Sequence, residues 1–405
     1  MGSQTENLLT VIDVGSAKTC VIVAEVNDYA LRYRGHGISD TRGMRKGVIA
    51  DLDKAVKSIR KAVEEAEDVA QAPVEHALAG VAGSHIRGFN SHGGISLGRS
   101  REISRDDVRQ AVEKARSIAM PDDREPLHLL PQEFIVDGQG GVHDPAGLMG
   151  RKLEVRVHVV TAGTTATQNV VTAVNRAGVH VNDTVFEALA CADSVLQTDE
   201  RELGVCLVDI GAGSTDLIVY FEGVVIHSGV IPIGGDHFTN DVAVGFSTPV
   251  FDAENIKKMF GCAVVTRIAL GNEIEVPSVG DRPSRMMQQR MLGEILEPRG
   301  RELMELLRDH LRQAGVLDLL GAGVVFTGGG ARLNALLDVA DDILRRPVRL
   351  GYPVPIAKLP SNLLEPEFAT AIGMVLYGHR ARQARMNIDR GLGAKLRALF
   401  ARQNA

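Results

Sequence analysis

The residues best placed to do chemistry are two aspartates, each standing where an apolar run meets a glycine turn. Val205 to Asp216 reads VCLVDIGAGSTD. Val205, Leu207 and Val208 suit a strand covered on both faces, and Asp209 stands at its end. Gly211 and Gly213 permit the backbone conformations in which successive N–H groups converge on phosphate oxygens, with the hydroxyls of Ser214 and Thr215 beside them. Leu8 to Thr19, LLTVIDVGSAKT, repeats the order with Asp13, Gly15 and Ser16, and VVFTGGGARL places Gly328, Gly329 and Gly330 before a helix-like run. One such turn is common in α/β proteins for geometric reasons. Three, two of them carrying an acid, suggest a duplicated α/β unit facing one ligand. Mg²⁺ takes oxygen ligands and parts with its waters reluctantly, so Asp13 and Asp209 are placed to hold it through water, with phosphates completing its shell. The competing reading is that each aspartate caps its own turn.

The elements that must position these residues follow from periodicity. Strands are expected over Leu8–Val14, 20–26 and about 31–38, and a helix from Asp51 to Pro73 with Leu52, Ala55, Val56, Ile59, Ala62, Val63, Ala66 and Val69 on its core face. A strand resumes at His76–Val81. Glycine-broken strands follow, with one helix over 104–119 and a polar loop over 137–151. The pattern then gives a strand over 155–161, helices over 165–176 and 184–196, and a polar linker over 197–202. Strands run from 205 to 233, and Gly234-Gly235 opens another helix. A short helix covers 251–260. Residues 276–313 mix Pro277, Pro283 and Pro298 with long helical stretches, and the last core elements run over 324–377. Arg282, Arg285, Arg290, Arg299 and Arg301 in the 276–313 segment read equally as a solvated helix face.

Composition bounds the rest. At 405 residues, 44% hydrophobic and 24% charged, the chain is long enough for two or more domains and has the balance of an ordinary soluble protein. Its 43 glycines exceed the usual ~7%, and the excess lies in these turns and between Gly80 and Gly98. No run reaches the ~20 apolar residues of a membrane span, and no signal sequence opens the chain, so a cytosolic protein is expected. Cys20, Cys191, Cys206 and Cys262 lack metal-type spacing and read as buried thiols. Net charge is −6, yet residues 379–405 carry seven Arg or Lys and one Asp, which leaves −12 on residues 1–378. An acidic body with a basic tail argues against nucleic acid and for bringing one short segment to an anionic surface.

The order DVGSAKT, DIGAGSTD, TGGGARL resembles the nucleotide pocket of the actin-like ATPase superfamily, and the likeness extends over nearly the whole chain. Within it the chain most resembles the FtsA family of bacterial division proteins, through TVIDVG, KGVI at 46–49, DERELGVCLVDIGAGSTD, EVPSVG at 275–280 and EPR at 297–299. The resemblance implies an α/β, actin-like fold: two duplicated α/β halves around a nucleotide cleft, with an inserted α+β subdomain in the first half. The halves would be 8–82 with 159–197, and 198–233 with 314–378. The insert would be 83–158, a nucleotide-facing and partner-binding subdomain 234–313, a basic linker 379–390 and an amphipathic helix 391–405.

The same resemblance implies ATP and Mg²⁺ as ligands. Asp13, Gly15, Ser16 and Lys18 fall in a first phosphate loop, and Asp209, Gly211, Gly213, Ser214 and Thr215 in a second. Gly234, Gly235 and Asp236 lie near ribose and phosphates at a helix start. Glu254 and Lys257 match the adenosine-contacting pair, Gly328, Gly329, Gly330 and Ala331 the adenosine loop, and Glu187 the residue that orients the attacking water. Ala212 departs from actin, which has a second acid there, so ATP binding with slow or negligible hydrolysis is expected. Lys18, outside a GKS or GKT context, reads equally as phosphate-bound or solvent-exposed. A small-molecule kinase of the superfamily would need an acidic base that only Glu187 could supply. A heat-shock-type chaperone would need a large domain after the core, where only 27 residues follow Gly378. MreB-like and pilus-assembly relatives are the nearest rivals; the former lack an insertion of the 83–158 type and the latter the tail.

The family's associations carry over as expectations: a head-to-tail polymer reached through the insert, later division proteins, and the acidic C-terminal peptide of the tubulin-like protein FtsZ. Arg285 and Arg299 are the candidates for that peptide, as a cationic helix face. The expected place is the cytoplasmic side of the cell membrane at the division septum, on anionic lipids. At about 100° per residue, Leu392, Leu396, Leu399 and Phe400 share one arc of a helix, flanked by Lys395, Arg397 and Arg402. Such a helix lies in the membrane surface with its cationic stems toward lipid phosphates.

Overall fold

The protein is described by a computed structural model that covers residues 7–27, 30–45, 47–116, 121–280 and 282–384. The membrane-helix residues Leu392 to Arg402 lie outside the described residues.

Two five-stranded sheets of the same construction form the body. In the first, β1 (Leu8–Val14), β2 (Lys18–Asn27) and β3 (Ala30–Asp40) are an antiparallel meander, and β6 (His76–Val81) and β11 (His180–Phe186) continue it in parallel beyond β1. In the second, β12 (Val205–Ile210), β13 (Thr215–Phe221) and β14 (Val224–Ile231) are the meander, and β17 (Gly323–Thr327) and β18 (Val348–Leu350) continue it in parallel beyond β12. Both faces of each sheet are covered, which is why β1 and β12 are written as unbroken apolar runs rather than alternating ones.

On the first sheet, Ile12, Val21 and Val23 pack beneath α1 (Leu52–Ala70) and α3 (Thr164–Arg176), while Val11, Ile22 and Ala24 meet a helix over 369–384, here α10. Asp51 caps α1 by accepting the Lys54 N–H at 3.1 Å. On the second sheet, Val208, Ile210 and Leu217 face α6 (Gly235–Phe246), α8 (Gln289–Gln313) and α9 (Leu336–Leu344), and Leu207, Ile218 and Tyr220 face α4 (Glu187–Val195). α4 and α10 cross closely: a Cβ on Gly373 would stand 2.6 Å from the Ala190 carbonyl carbon.

The insert leaves after β6. Its sheet runs β7 (Arg87–Glu102), β10 (Met149–Gly163), β8 (Arg124–Val136), β9 (Gln139–Val142), with α2 (Arg105–Arg116) on one face above Leu153, Val155 and Val157. Beside the second sheet, α6, α7 (Val250–Phe260) and α8 enclose Phe238, Val242, Phe246 and Leu296, with a ribbon of β15 (Glu273–Val276) and β16 (Arg285–Gln288) at their edge. A second ribbon, β4 (Met44–Arg45) with β5 (Val48–Ile49), precedes α1.

Three local expectations are corrected. Residues 184–186 belong to strand β11, and the helix begins only at Glu187; a short apolar run such as TVF does not distinguish strand from helix, and parallel pairing with β6 decides it. The stretch 197–202 is no linker but α5 (Thr198–Leu203), started by a capping box in which Gln197 N donates to Glu200 Oε2 at 2.9 Å. The loop at 137–151 contains β9, which pairs with β8 through Gln139 and Val142 while Gly141 N donates to Glu133 Oε2 at 3.0 Å. In α8 the helix continues through Pro298. The lost hydrogen bond and ring clash cost about 3 kcal/mol, which burial of Leu292, Leu296, Leu303, Met304 and Leu307, at about 1.5–3 kcal/mol each, outweighs.

Candidate functional site

The like ends of β1 and β12 face one cleft, and four carboxylates gather there. Asp13 and Asp209 come from the two strand ends, Asp216 from the start of β13, and Glu187 from the first turn of α4. Gly80 on β6 makes room for Glu187, since a Cβ there would stand 2.6 Å from Glu187 Oε1. Burial pushes the Asp13 carboxyl up to about 7, with Lys18 pulling it down and Asp209 pushing it further up. Burial, then the Asp209 charge, pushes Asp216 up to about 7. Glu187 is held well above the usual carboxylate range by burial and then by Asp13, Asp216 and Asp209. Asp209 is raised by burial, against the Thr370 hydroxyl and Lys18, which favour its charged form.

Lys18 is the cation of this group. Its ammonium sits 3.5 Å from the centre of the Phe368 ring, and burial pulls its pKa down against the nearby acids. Its side chain is half-buried, with Asp13, Glu367 and Asp209 among the nearby acids. Thr370 on α10 donates its hydroxyl to Asp209 Oδ2 at 2.7 Å.

The second glycine turn is held from below. Gly211 N donates to Ser214 O at 3.0 Å, and the first turn of α6 grips the loop through Gly235 N to Gly211 O and Asp236 N to Ala212 O, both at 2.9 Å. Gly234 N donates to His237 Nδ1 at 3.1 Å. The backbone N–H groups of Gly235 and Asp236 therefore support the loop, while that of Gly234 is taken by His237 of the same helix. Among the described residues, none accepts from the N–H groups of Ala212, Gly213 and Ser214, which leaves those three for a ligand anion. Gly328 has φ +83°, and a Cβ there would overlap Asp209 Oδ1 and stand 2.6 Å from Ile210 O. Only glycine lets the third turn close on β12. Ala331, behind it, is buried.

A second polar cluster lies where α6 meets α7. Lys257 Nζ pairs with Glu254 Oε2 at 2.6 Å and donates to Gly235 O at 3.0 Å and Thr239 Oγ1 at 2.8 Å, while the Thr239 hydroxyl also bonds Glu254. This ties the adenosine-pair candidates to the helix that holds the phosphate loop.

The halves also touch over the loop. Gly83 N donates to Asp216 Oδ1 at 3.4 Å and Ser214 Oγ to Asp216 Oδ2 at 3.0 Å. Gly47 of the KGVI stretch stands against Gly83: a Cβ on Gly47 would be 2.8 Å from the Gly83 Cα and 3.5 Å from Ser214 Oγ. Sequence reasoning assigned no role to Asp216, Thr370, Thr239 or Gly83. A signal for Asp216 existed, because a hairpin that turns on residues 211–214 pairs Asp209 with Asp216, as it does here.

All the donors at the acid cluster are oxygens, which suits a hard divalent cation. Among the described residues no three His, Cys, Asp or Glu side chains converge to grip an ion directly, so these acids fit Mg²⁺ held through its waters. A cleft of about 540 Å³ lined by Asp193, Arg201, Glu202 and Arg380 is separate from this site. Its two arginines, Arg201 and Arg380, both pair with Asp193.

The partner candidates sit elsewhere. Arg299 on α8 forks onto Asp241, Nε to Oδ2 at 2.7 Å and Nη2 to Oδ1 at 3.1 Å, and also meets Glu302. In the same EPR stretch Glu297 accepts the Val265 N–H at 2.7 Å. Arg285 is not on a helix face, as expected from the sequence, but opens strand β16 and donates to Phe246 O at the end of α6. Val244, Phe251 and Met286, at 71%, 76% and 60% exposure, belong to the same subdomain.

Known proteins fall on this architecture. A family model described as "Cell division protein FtsA" matches residues 206–373, and one described as "SHS2 domain inserted in FTSA" matches residues 83–161. The chain is 40% identical to the cell division protein FtsA of Pseudomonas aeruginosa over 95% of its own length and 93% of that protein.

The chain belongs to the FtsA family.

The Escherichia coli K12 FtsA is 38% identical over 92% of this chain and 90% of its own, and the Bacillus subtilis FtsA 33% over 95% and 86%. Among solved structures, one titled "PilM-PilN type IV pilus biogenesis complex" aligns with a TM-score of 0.63 at 17% identity, over 92% of this chain and 98% of its own. MreB5 of Spiroplasma citri bound to ADP aligns with a TM-score of 0.54 at 15% identity, over 95% and 98%. These two show the fold: an FtsA-family chain on an actin-like α/β frame. It is a cell division protein. Among the described residues no helix is long and apolar enough to cross a membrane.

Proposed function

We propose that this FtsA-family chain binds ATP with Mg²⁺ between its two halves, assembles head to tail on the cytoplasmic face of the cell membrane at the septum, and holds FtsZ filaments there. The observation that carries the nucleotide reading is the meeting of Asp13 and Asp209, from like ends of two sheets with the same strand order, at turns whose N–H groups are open to an anion. Mg²⁺, when bound, would neutralise phosphate charge and orient the chain of oxygens.

The residues of this chain do the rest. Ala212, Gly213 and Ser214 offer backbone N–H groups to phosphate oxygens. Lys18 balances the acids, and the Thr370 hydroxyl favours the charged form of Asp209 against the effect of burial. Glu187, at a helix start facing the cleft, matches the water-orienting position. Burial and the neighbouring acids raise its pKa, which favours the protonated form, and Ala212 supplies no second acid; both features suit slow turnover. Glu254, Lys257 and the turn Gly328 to Ala331 frame the nucleoside end.

The membrane reading rests on residues 391–405. Four apolar side chains, Leu392, Leu396, Leu399 and Phe400, contribute about 6–10 kcal/mol at most, and each cation about 1 kcal/mol more. Ordering the segment costs about 1 kcal/mol per residue. A single tail is a weak anchor, and a polymer carrying many tails is a firm one. For FtsZ, the exposed apolar side chains of the 234–313 subdomain beside Arg285 suit a peptide with alternating acidic and apolar residues.

Calorimetric titration of ATP, with and without Mg²⁺, tests the nucleotide site. Asp209→Asn should remove the part of the affinity that depends on Mg²⁺. Equal affinity in parent and variant would refute the role given to Asp209.

A further inference from the structure

Away from the cleft between the halves, a cavity of about 390 Å³ opens between the end of β3 and α1. Arg42, Lys54, Lys57 and Lys61 line it, with Ser58 and a single acid, Asp40. The backbone there is fixed: Arg42 N donates to Ser58 Oγ at 3.0 Å, and Ser39 Oγ to Ser58 O at 2.6 Å. Lys54 pairs with Asp51 at 2.8 Å. Among the described residues, Arg42, Lys57 and Lys61 have no carboxylate partner.

This charge placement works against the helix that carries it. Lys54, Lys57 and Lys61 stand at i, i+3 and i+7 and so repel one another along one face. They also occupy the first three turns of α1, beside the acids Asp51 and Asp53 at its start, whereas Glu64, Glu65, Glu67 and Asp68 occupy the last turns, and no basic residue lies in the final turn. Cations near the N-terminus and acids near the C-terminus are the unfavourable arrangement for a helix dipole. An anion in the cavity would give each of these cations an attractive partner and offset their mutual repulsion.

We propose that this cavity binds clustered phosphate groups, supplied either by a soluble polyphosphate-bearing compound or by lipid headgroups. The volume lies within the ~300–1,000 Å³ of small-molecule sites. Two or three phosphates can engage three unpaired cations on two separate elements, and a single carboxylate cannot. The flexible ammonium heads suit tetrahedral phosphate oxygens met from several directions.

The test uses the full-length protein with Lys57→Gln/Lys61→Gln, Lys57→Arg/Lys61→Arg and Asp209→Asn variants. Calorimetric titration with inorganic tripolyphosphate should give a binding class that the Gln pair weakens at least about tenfold, that the Arg pair keeps, and that Asp209→Asn leaves in place. In parallel, each protein is sedimented with vesicles of phosphatidylglycerol and phosphatidylethanolamine. A loss in the tripolyphosphate arm identifies a soluble source, and a loss confined to the vesicle arm identifies the headgroup. No loss in either arm overturns the proposal. Melting in the absence of ligand separates binding from folding: with the mutual repulsion removed, the Gln pair should melt no lower than the parent. A variant melting well below the parent would show the lysines to be structural and would equally overturn the site. Retained tripolyphosphate binding in Asp209→Asn keeps this result distinct from failure of the nucleotide reading.

Discussion

Thr370→Val isolates one hydrogen bond at the centre of the cleft. The hydroxyl donates to Asp209 Oδ2 at 2.7 Å, Thr370 is buried and Asp209 half-buried, and the valine that replaces the threonine keeps the shape while removing the donor. A hydrogen bond to a charged acceptor contributes about 1.5–3 kcal/mol, or about 10- to 150-fold in favour of the ionised carboxylate. Burial already raises the pKa of Asp209, and the Thr370 hydroxyl opposes that rise. Without it the carboxyl holds its proton to higher pH, and a protonated Asp209 does not attract a hydrated Mg²⁺. The assay is ATP titration with Mg²⁺ at pH 6.5, 7.5 and 8.5. Affinity of the variant should be about tenfold or more below the parent at the lowest pH, and the gap should close as pH rises and ionises the carboxyl. Without Mg²⁺ the two proteins should differ little. Equal Mg²⁺-dependent affinity at pH 6.5, or a loss that does not change with pH, would refute the reasoning.

Five other outcomes are expected, four from the geometry and one from the sequence of the tail. Gly328→Ala should cost about 3 kcal/mol or more in urea unfolding, combining a strained positive φ with overlap on Asp209 and Ile210 O, and should abolish nucleotide binding. Asp216→Asn should gain stability on the parent as pH rises from about 4 to 7 and hold that gain above 7. The sign follows from a folded pKa of about 7 above the ordinary 3.8: the folded parent binds the extra proton and loses stability as that proton leaves. Paired melting curves against pH check it, and a constant difference would count against a raised Asp216. Arg285→Glu should lower affinity for an acidic FtsZ C-terminal peptide with the fold kept. Arg299→Glu should also lower the melting temperature, because it leaves Asp241 facing a like charge. Leu396→Asp with Phe400→Asp should end co-sedimentation with anionic liposomes while ATP affinity persists; unchanged sedimentation would remove the tail as anchor.

How much of this was legible in the sequence depended on whether the cause was local. Burial on both faces writes β1 and β12 as continuous apolar runs, and the repeated acid-glycine order at their ends announced the pairing of Asp13 with Asp209. α1 was legible from its 3.6-residue period. Thr370 reaches Asp209 across 161 residues, and nothing near it in sequence marks it as a cleft residue. Arg299 looked like a free cation because Asp241, 58 residues earlier, is brought to it only by the packing of α6 on α8. The strand ending at Phe186 was hidden because three apolar residues fit either period, and Pro298 concealed a helix whose tertiary contacts outweigh the break.

The insert belongs to the first half by chain connection but is fastened to the second by contact. His158, with its pKa driven down to about 3 by burial and then by His227, stays neutral. It can therefore donate through Nδ1 to Asn90 Oδ1 at 2.7 Å and accept the Ser228 hydroxyl at Nε2, 2.8 Å away. Gln132 donates to Val225 O at 2.9 Å and Asn90 to Ile226 O at 3.1 Å, both on β14. The insert is thus a strut joined to one half by the chain and held to the other by these polar bonds and by Leu127 and Leu130, which share an apolar cluster with Val225. A change in the angle between the halves cannot be absorbed within the cleft alone: either the pins along β14 slip or the strut turns with them.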